Sequence, residues 1–144
     1  MSEQNKMIAR RAFEEVLSRG NVALTDELVT ADFIGHTTLN DDIIHGPEAL
    51  KQSVSVLREA FPNYQVTVED QIAEGDKVVT RWTARGTHQG QFQGVPPTGR
   101  QMTMTEITIH RIANGRLAES WTRADILGMM QQLGLVLSPS AASK

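Results

Sequence analysis

The hydrophobic period of this chain changes at Pro62, and that change limits the fold more than any other feature. Before it, apolar residues recur every three or four positions, as in amphipathic helices; after it they alternate, as in strands. From Glu3 to Arg19, the residues Ile8, Ala12 and Val16, with Phe13 and Leu17 beside them, predict a helix that Gly20 ends. A short helix is predicted over Thr25–Val29, with Thr25 as its N-cap and Asp26 and Glu27 in its first turn. Gly46-Pro47 opens a third, carrying Leu50, Val54, Leu57 and Phe61, and Pro62 closes it.

Beyond Pro62, Tyr64, Val66, Val68 and Ile72 are placed on one face of a strand that ends at Glu74-Gly75-Asp76. Its hairpin partner is Lys77–Thr87, with Val78, Thr80, Trp82 and Ala84 on one side and Val79, Arg81, Thr83 and Arg85 on the other. His88 to Arg100 holds too many Gly and Pro residues for a regular element and reads as a loop. A long strand follows from Gln101 to Ile112, and Asn114-Gly115, suited to a type I′ turn, joins it to a last strand, Arg116–Arg123. A helix is predicted over Ile126–Leu133, and the tail 138–144 offers nothing to bury. Helices first and antiparallel strands afterwards describe an α+β domain whose curved sheet wraps around the N-terminal helices. No repeat or linker divides it, so residues 1–144 are expected to form one domain.

Charge and composition narrow the function. The net charge is −3 and the fourteen Lys and Arg are scattered, which argues against a nucleic-acid partner. The longest apolar runs, such as Leu133 to Leu137, fall far short of the roughly 20 residues a membrane span needs. The polar, acid-containing opening MSEQNKMIARRAFEE fits neither a secretory signal nor a transit peptide, so a cytoplasmic protein is expected. With no cysteine, disulfides and thiolate chemistry are excluded. His36, His45, His88 and His110 have no short HxH or HxxxH spacing, and no metal is expected. The glycines of the 88–100 loop lack the strand-to-helix setting of a dinucleotide fingerprint, so no nicotinamide or flavin cofactor is predicted either.

The succession of the GPEALKQ helix, the AFPNYQVTVED strand, the EGDKVVTRWTARGTHQGQFQGVPPTGRQ hairpin and loop, and HRIANGRLAESWTRAD before QQLG resembles the SnoaL-like polyketide cyclase family. The likeness runs along nearly the whole chain and is most specific over 75–99 and 111–134. It implies a cone-shaped α+β barrel of the group that includes nuclear transport factor 2 and ketosteroid isomerase, with a hydrophobic pocket open at one end. It also implies a flat, aromatic polyketide-like substrate. Members of the family close a ring by aldol condensation without a cofactor, and siblings are implicated in hydroxylating the same class of molecule. In the cyclases an aspartate on the last strand, three positions before the one matching Asp125, is the acid/base; Thr122 stands there in this chain. An assisting histidine on the preceding strand aligns with Thr108. A threonine hydroxyl is no base near neutral pH without an activating partner, so these departures tilt the reading toward the hydroxylase-like sibling. An aldol-type cyclase and a non-catalytic ligand- or protein-binding module of the same fold stay open.

Read from the residues themselves, Glu106 is the best carboxylate for proton transfer, because alternation puts it on one strand face with Met102, Met104, Thr108 and His110. Burial there would raise its pKa; an outward face would leave it solvated. Asp125 serves either as an acid at the pocket mouth or as the N-cap of the last helix. His36 either meets ligand at the rim or is bonded to backbone. Trp82 either stacks on a flat ligand or packs the core, and Met102 and Met104 either line an adaptable pocket or fill gaps. Arg81, Arg85 and Arg123 are expected to face water. The GVPPTG segment, 94–99, reads as a flap over the pocket, and the uncovered sheet face as a homodimer contact.

Overall fold

The structure, a computed structural model, describes residues 2–37 and 43–136; the tail 138–144 lies outside them. Helix α1, Ser2–Arg11, continues into wider π-helical turns over Ala12–Ser18, and Gly20, at φ +76°, ends the segment. The guanidinium of Arg58 holds this end in place. Its Nη1 donates to the carbonyls of Leu17 at 2.9 Å, Ser18 at 2.7 Å and Tyr64 at 3.2 Å. Helix α2 is Thr25–Leu28 and α3 is Gly46–Ala60, with Pro47 in the first turn of α3 as predicted.

The expectation for Thr25 is corrected. A 3₁₀ turn, Val22–Leu24, runs straight into α2, so Thr25 has helical φ and ψ, and its buried hydroxyl has no partner among the described residues. The chain reaches this helix already coiled, which leaves no extended residue to act as a cap.

Six strands follow the order β2-β1-β6-β5-β4-β3, where β1 is Val29–His36, β2 Ile43–His45, β3 Gln65–Glu74, β4 Lys77–Thr87, β5 Gln101–Ala113 and β6 Arg116–Ala124. The curved sheet around N-terminal helices is as expected, but its wholly antiparallel character is not. Strand β1 lies between α2 and α3 in sequence and pairs parallel to β6. The type I′ turn is present, with Asn114 at φ 53° and Gly115 at φ 75°. β4 and β5 pair without interruption from Lys77 opposite Arg111 to Thr87 opposite Gln101. Val78, Thr80, Trp82 and Ala84 are all buried, on the side the alternation assigned them.

Ile72 departs from its predicted face. A bulge at Glu69 shifts the β3–β4 register between Val68, opposite Trp82, and Asp70, opposite Arg81. One extra residue inverts every side chain beyond it. Ile72 is therefore 66% exposed, and Gln71 turns inward to donate to Thr80 Oγ1 at 3.2 Å.

Helix α4, Ile126–Gln132, follows β6. It lies against β5 where β6 has already stopped. There the Gln132 amide pairs with Thr103 as a strand would, accepting from its N–H at 2.7 Å and donating to its carbonyl at 2.8 Å. Among the described residues no helix is long and apolar enough to cross a membrane.

The 88–100 loop is tied to the body of the protein. The N–H groups of Gln89 and Gly90 donate to the carbonyl of Ala60 at 2.9 and 3.0 Å, and Phe92 is buried with an edge-on contact to Phe61. A Cβ on Gly90 would stand 2.2 Å from the Glu59 carbonyl oxygen. Backbone cannot yield as a side chain does, so Gly90→Ala should lose about 1–3 kcal/mol by overpacking. Urea denaturation measures this; stability equal to the wild type would show that the loop approaches α3 less closely.

Candidate active site

The inner faces of β4, β5 and β6, the π-helical turns, α3 and α4 enclose a cavity of about 360 Å³. Its wall is mainly apolar, with Phe13, Phe33, Phe61, Trp82, Met102, Met104 and Met129 prominent. Helices close one side and the sheet the other, so Phe13 of the π-helical turns, Phe61 just after α3 and Trp82 of β4 meet around a shared space. Phe13 and Trp82 stand 4.9 Å apart between ring centroids, tilted by 42°.

Polar groups enter this wall along β5 and β6. Alternation points Glu106, Thr108 and His110 inward from β5, and Ser120 and Thr122 inward from β6, where Thr108 faces Thr122 and His110 faces Ser120. Trp82 Nε1–H donates to Thr108 Oγ1 at 3.0 Å, and Thr108 and Thr122 share a hydroxyl hydrogen bond of 2.9 Å. The centre of the polar strip is thus tied up within the protein.

Its two ends differ. Glu106 is 7% exposed, and its Oε2 is buried with no hydrogen-bond partner among the described residues. Desolvation pushes its pKa up to about 8, so it is a neutral acid over most of the physiological range. Tyr64, also buried and lining the cavity, is held well above the ordinary tyrosine range, first by burial and then by the charge Glu106 would carry. His110 is buried; its pKa is lowered to about 4 by desolvation, and its Nδ1 has no hydrogen-bond partner among the described residues.

Eight of the nine residues singled out from sequence border the cavity: Glu106, Thr122, His36, Trp82, Met102, Met104, Thr108 and His110. Asp125 does not. It is exposed, and its Oδ1 accepts from the N–H of Gly128 at 2.9 Å, which makes it the cap of α4. The His36 imidazole is turned to its own neighbours: Nε2 lies 2.8 Å from Glu119 Oε2, and the ring stacks on Trp121 at 5.5 Å. That hydrogen bond, helped by Arg111, lowers the Glu119 pKa. Arg81, Arg85 and Arg123 are exposed. Of the 88–100 loop, Phe92 and Gln93 border the cavity, whereas Gly94 to Gly99 do not.

Sequence reading missed Tyr64, Phe92 and Ser120 as cavity residues. Tyr64 carried a usable signal, since it opens the alternation that leads into β3. Phe92 sits in a loop without period, and Ser120 among charged neighbours. Among the described residues no group of three or more His, Cys, Asp or Glu is placed to hold a metal ion.

A sheet curled around helices to leave an apolar chamber with a few inward polar groups defines a small-molecule-binding α+β cone. The chain belongs to the SnoaL-like polyketide cyclase family, whose model matches residues 7–133. It is 31% identical over 110 residues to the nogalonic acid methyl ester cyclase of Streptomyces nogalater, covering 76% of this chain and 82% of that protein. To the aklanonic acid methyl ester cyclase DauD of Streptomyces sp. strain C5 it is 32% identical over 121 residues, or 79% and 74% of the two chains. Among solved structures, the SnoaL-like protein of Jannaschia sp. CCS1 superposes with a TM-score of 0.85 at 29% identity, over 94% of each chain. IdmH of Streptomyces antibioticus does so at 0.79 and 33%, over 91% of this chain and 99% of that one.

The pKa values set a stability profile. The folded state holds the Glu106 proton up to about pH 8 while the unfolded chain releases it near 4.5, so stability present below pH 4.5 is lost as pH rises through 8. His110 acts oppositely: stability present above 6.5 is lost as pH falls through about 4. Glu106→Gln removes the first effect only. Its melting temperature relative to wild type should climb between pH 4.5 and 8 and level off above; a difference independent of pH would mean that Glu106 titrates normally.

Proposed function

We propose that this protein is a polyketide-tailoring enzyme that closes a ring on a small aromatic polyketide by cofactor-free acid–base chemistry, with Glu106 as the proton-transfer group. The observation that carries the reading is a neutral carboxylic acid, its Oε2 without a hydrogen-bond partner among the described residues, in an apolar chamber that Tyr64 also lines. Thr122 occupies the place where the family resemblance puts an aspartate. In the β5–β6 register Thr122 faces Thr108, and Glu106 lies two residues along the same inner face, a diagonal neighbour across the strands. The acid missing from β6 is thereby supplied from β5.

In the proposed step the Glu106 carboxylate removes a proton from the carbon next to a carbonyl. That carbon bonds to a second carbonyl carbon within the same molecule, and the resulting alkoxide takes the proton back from Glu106. Atoms and charge balance without oxidant or reductant. With a pKa of about 8, about a tenth of the molecules are in the basic form at pH 7, and the acid is strong enough to return the proton. The Tyr64 hydroxyl, neutral throughout this range, is the donor for the enolate oxygen. Trp82 and Phe13 offer ring faces to a flat substrate.

Hydroxylation is the second reading, favoured by the hydroxyls of Thr108 and Thr122 where the family pattern has a histidine and an aspartate. Product mass separates the two. Incubation with nogalonic or aklanonic acid methyl ester should give an isomer of unchanged mass; a product heavier by one oxygen would establish the hydroxylase reading instead. On the ring-closing substrate, Glu106→Gln should fold normally and lose about 10²–10⁴ in rate. Wild-type kcat/KM should rise with pH to a plateau above about 8. Unchanged turnover in the variant would remove Glu106 from the chemistry.

The reading includes a cytoplasmic homodimer formed through the outer sheet face. One cross-strand row there runs Ile72, Val79, Ile109, Trp121, and Ile107, 48% exposed, lies beside it. An apolar row of this length on an open sheet favours a self-complementary contact. Sedimentation should give a dimer at micromolar concentration and a monomer for Ile107→Asp; a monomeric wild type would refute it.

A further inference from the structure

We infer that His110 and Ser120 form a second polar site in the cavity, at the opposite end from Glu106, which binds an oxygen substituent on the far edge of a planar substrate through the His110 Nε2–H and the Ser120 hydroxyl. The inference rests on the cavity's binding a flat oxygenated molecule, but not on Glu106 being the base.

The register sets the pair. His110 on β5 is directly opposite Ser120 on β6, both line the cavity, and residues so placed have Cβ atoms about 5 Å apart. Neither side chain forms a hydrogen bond within the protein among the described residues. Gly35, opposite Ser120 on β1, keeps the corner open: a Cβ there would come within 3.3 Å of Ser120 Oγ and 3.1 Å of the Phe33 ring.

The tautomer follows from burial. His110 is buried and neutral, so one ring nitrogen carries a proton and the other a lone pair. Its Nδ1 is buried with no partner among the described residues, and an orphaned N–H is disfavoured more than an unused lone pair. The proton is therefore on Nε2, and His110 presents a donor to the cavity. The edge-on contact with Phe13, centroids 5.6 Å apart, fixes the ring.

The spacing then describes the ligand. Glu106 and His110 are four residues apart on one strand, about 13 Å along it. Between them Thr108 already accepts from Trp82 and bonds to Thr122. Hydrogen-bonding capacity stands at the two ends, with ring faces between. A planar molecule about three fused rings long, carrying oxygen at both extremities, matches this pattern.

Equilibrium binding of two probes tests it, followed by quenching of tryptophan fluorescence. One is 2,6-dihydroxyanthraquinone, with a hydroxyl at each end; the other is 2-hydroxyanthraquinone, with a hydroxyl at one end only. The wild type should bind the first about threefold to tenfold more tightly, as one added neutral hydrogen bond gives. His110→Phe should bring the ratio of the two Kd values to about one. Ser120→Ala, which leaves the packing of the ring untouched, should lower it about twofold and keeps the test valid if His110→Phe fails to fold. In the free protein, imidazole ¹⁵N shifts should show the Nε2–H form. A wild-type ratio of one, a ratio unaffected by Ser120→Ala, or an Nδ1–H tautomer overturns the proposal. Glu106→Gln, which keeps a hydrogen-bonding end, should retain the ratio. A ratio that persists while turnover is unaffected by that change sinks the Glu106 reading alone, and a ratio of one with Glu106-dependent turnover sinks this one alone.

Discussion

The uninterrupted pairing of β4 with β5 is the constraint on which the rest depends. Side chains on a strand alternate between faces, so a slip of one residue in that pairing would carry Glu106, Thr108 and His110 to the solvent side and bring Thr105, Ile107 and Ile109 inward. The run from Lys77 opposite Arg111 to Thr87 opposite Gln101 contains no bulge. Of the irregularities in the neighbouring pairings, the one after Arg111 between β5 and β6 lies beyond His110, and the one at Glu69 on β3 falls opposite Arg81 and Trp82 yet leaves the β4–β5 register intact. The strands that carry Trp82 and the polar strip of β5 therefore keep strict register with each other even where β3 does not.

How much of this was legible in sequence depended on whether a segment carried a single period. Lys77–Thr87 and Gln101–Ala113 alternate throughout, and that alone placed Glu106 among Met102, Met104, Thr108 and His110. Asn114-Gly115 announced its turn because few residues tolerate two positive φ values in succession. Strand β1 was not legible. VTADFIGH shows neither clean alternation nor a neighbouring partner, and its parallel contact with β6 joins positions more than eighty residues apart. The bulge at Glu69 was equally silent, since Ile72 keeps the even spacing of Val66 and Val68 in sequence although the bulge turns it to the other face. The environment of His36 could not be read because Glu119 and Trp121, which hold its ring, belong to that distant strand.

The cavity wall is a poor place for polar groups in terms of stability. Leaving a buried donor or acceptor unpaired costs about 1–3 kcal/mol each, and both Glu106 Oε2 and His110 Nδ1 are in that condition. Elsewhere Thr25 Oγ1, Thr30 Oγ1 and His88 Nε2 also lack partners among the described residues, whereas Arg58 takes three carbonyls, and Trp82, Thr108 and Thr122 bond in a row. Local inconsistency of this kind is tolerated where a protein acts, at the expense of stability. The apolar packing of Phe13, Phe61, Trp82 and Met129 around the same space offsets it.

The clasp between Gln132 and Thr103 grades the strength of the walls. Parting β4 from β5 means breaking a full ladder of backbone hydrogen bonds, whereas parting α4 from β5 breaks the two Gln132 bonds and the Asp125 N–H bond to the Thr105 carbonyl, at 3.3 Å. Each bond of this kind contributes only about 1 kcal/mol net. By hydrogen bonds alone the helix is the weaker wall, and what holds it in place is the burial of Met129 and Leu133 in the core.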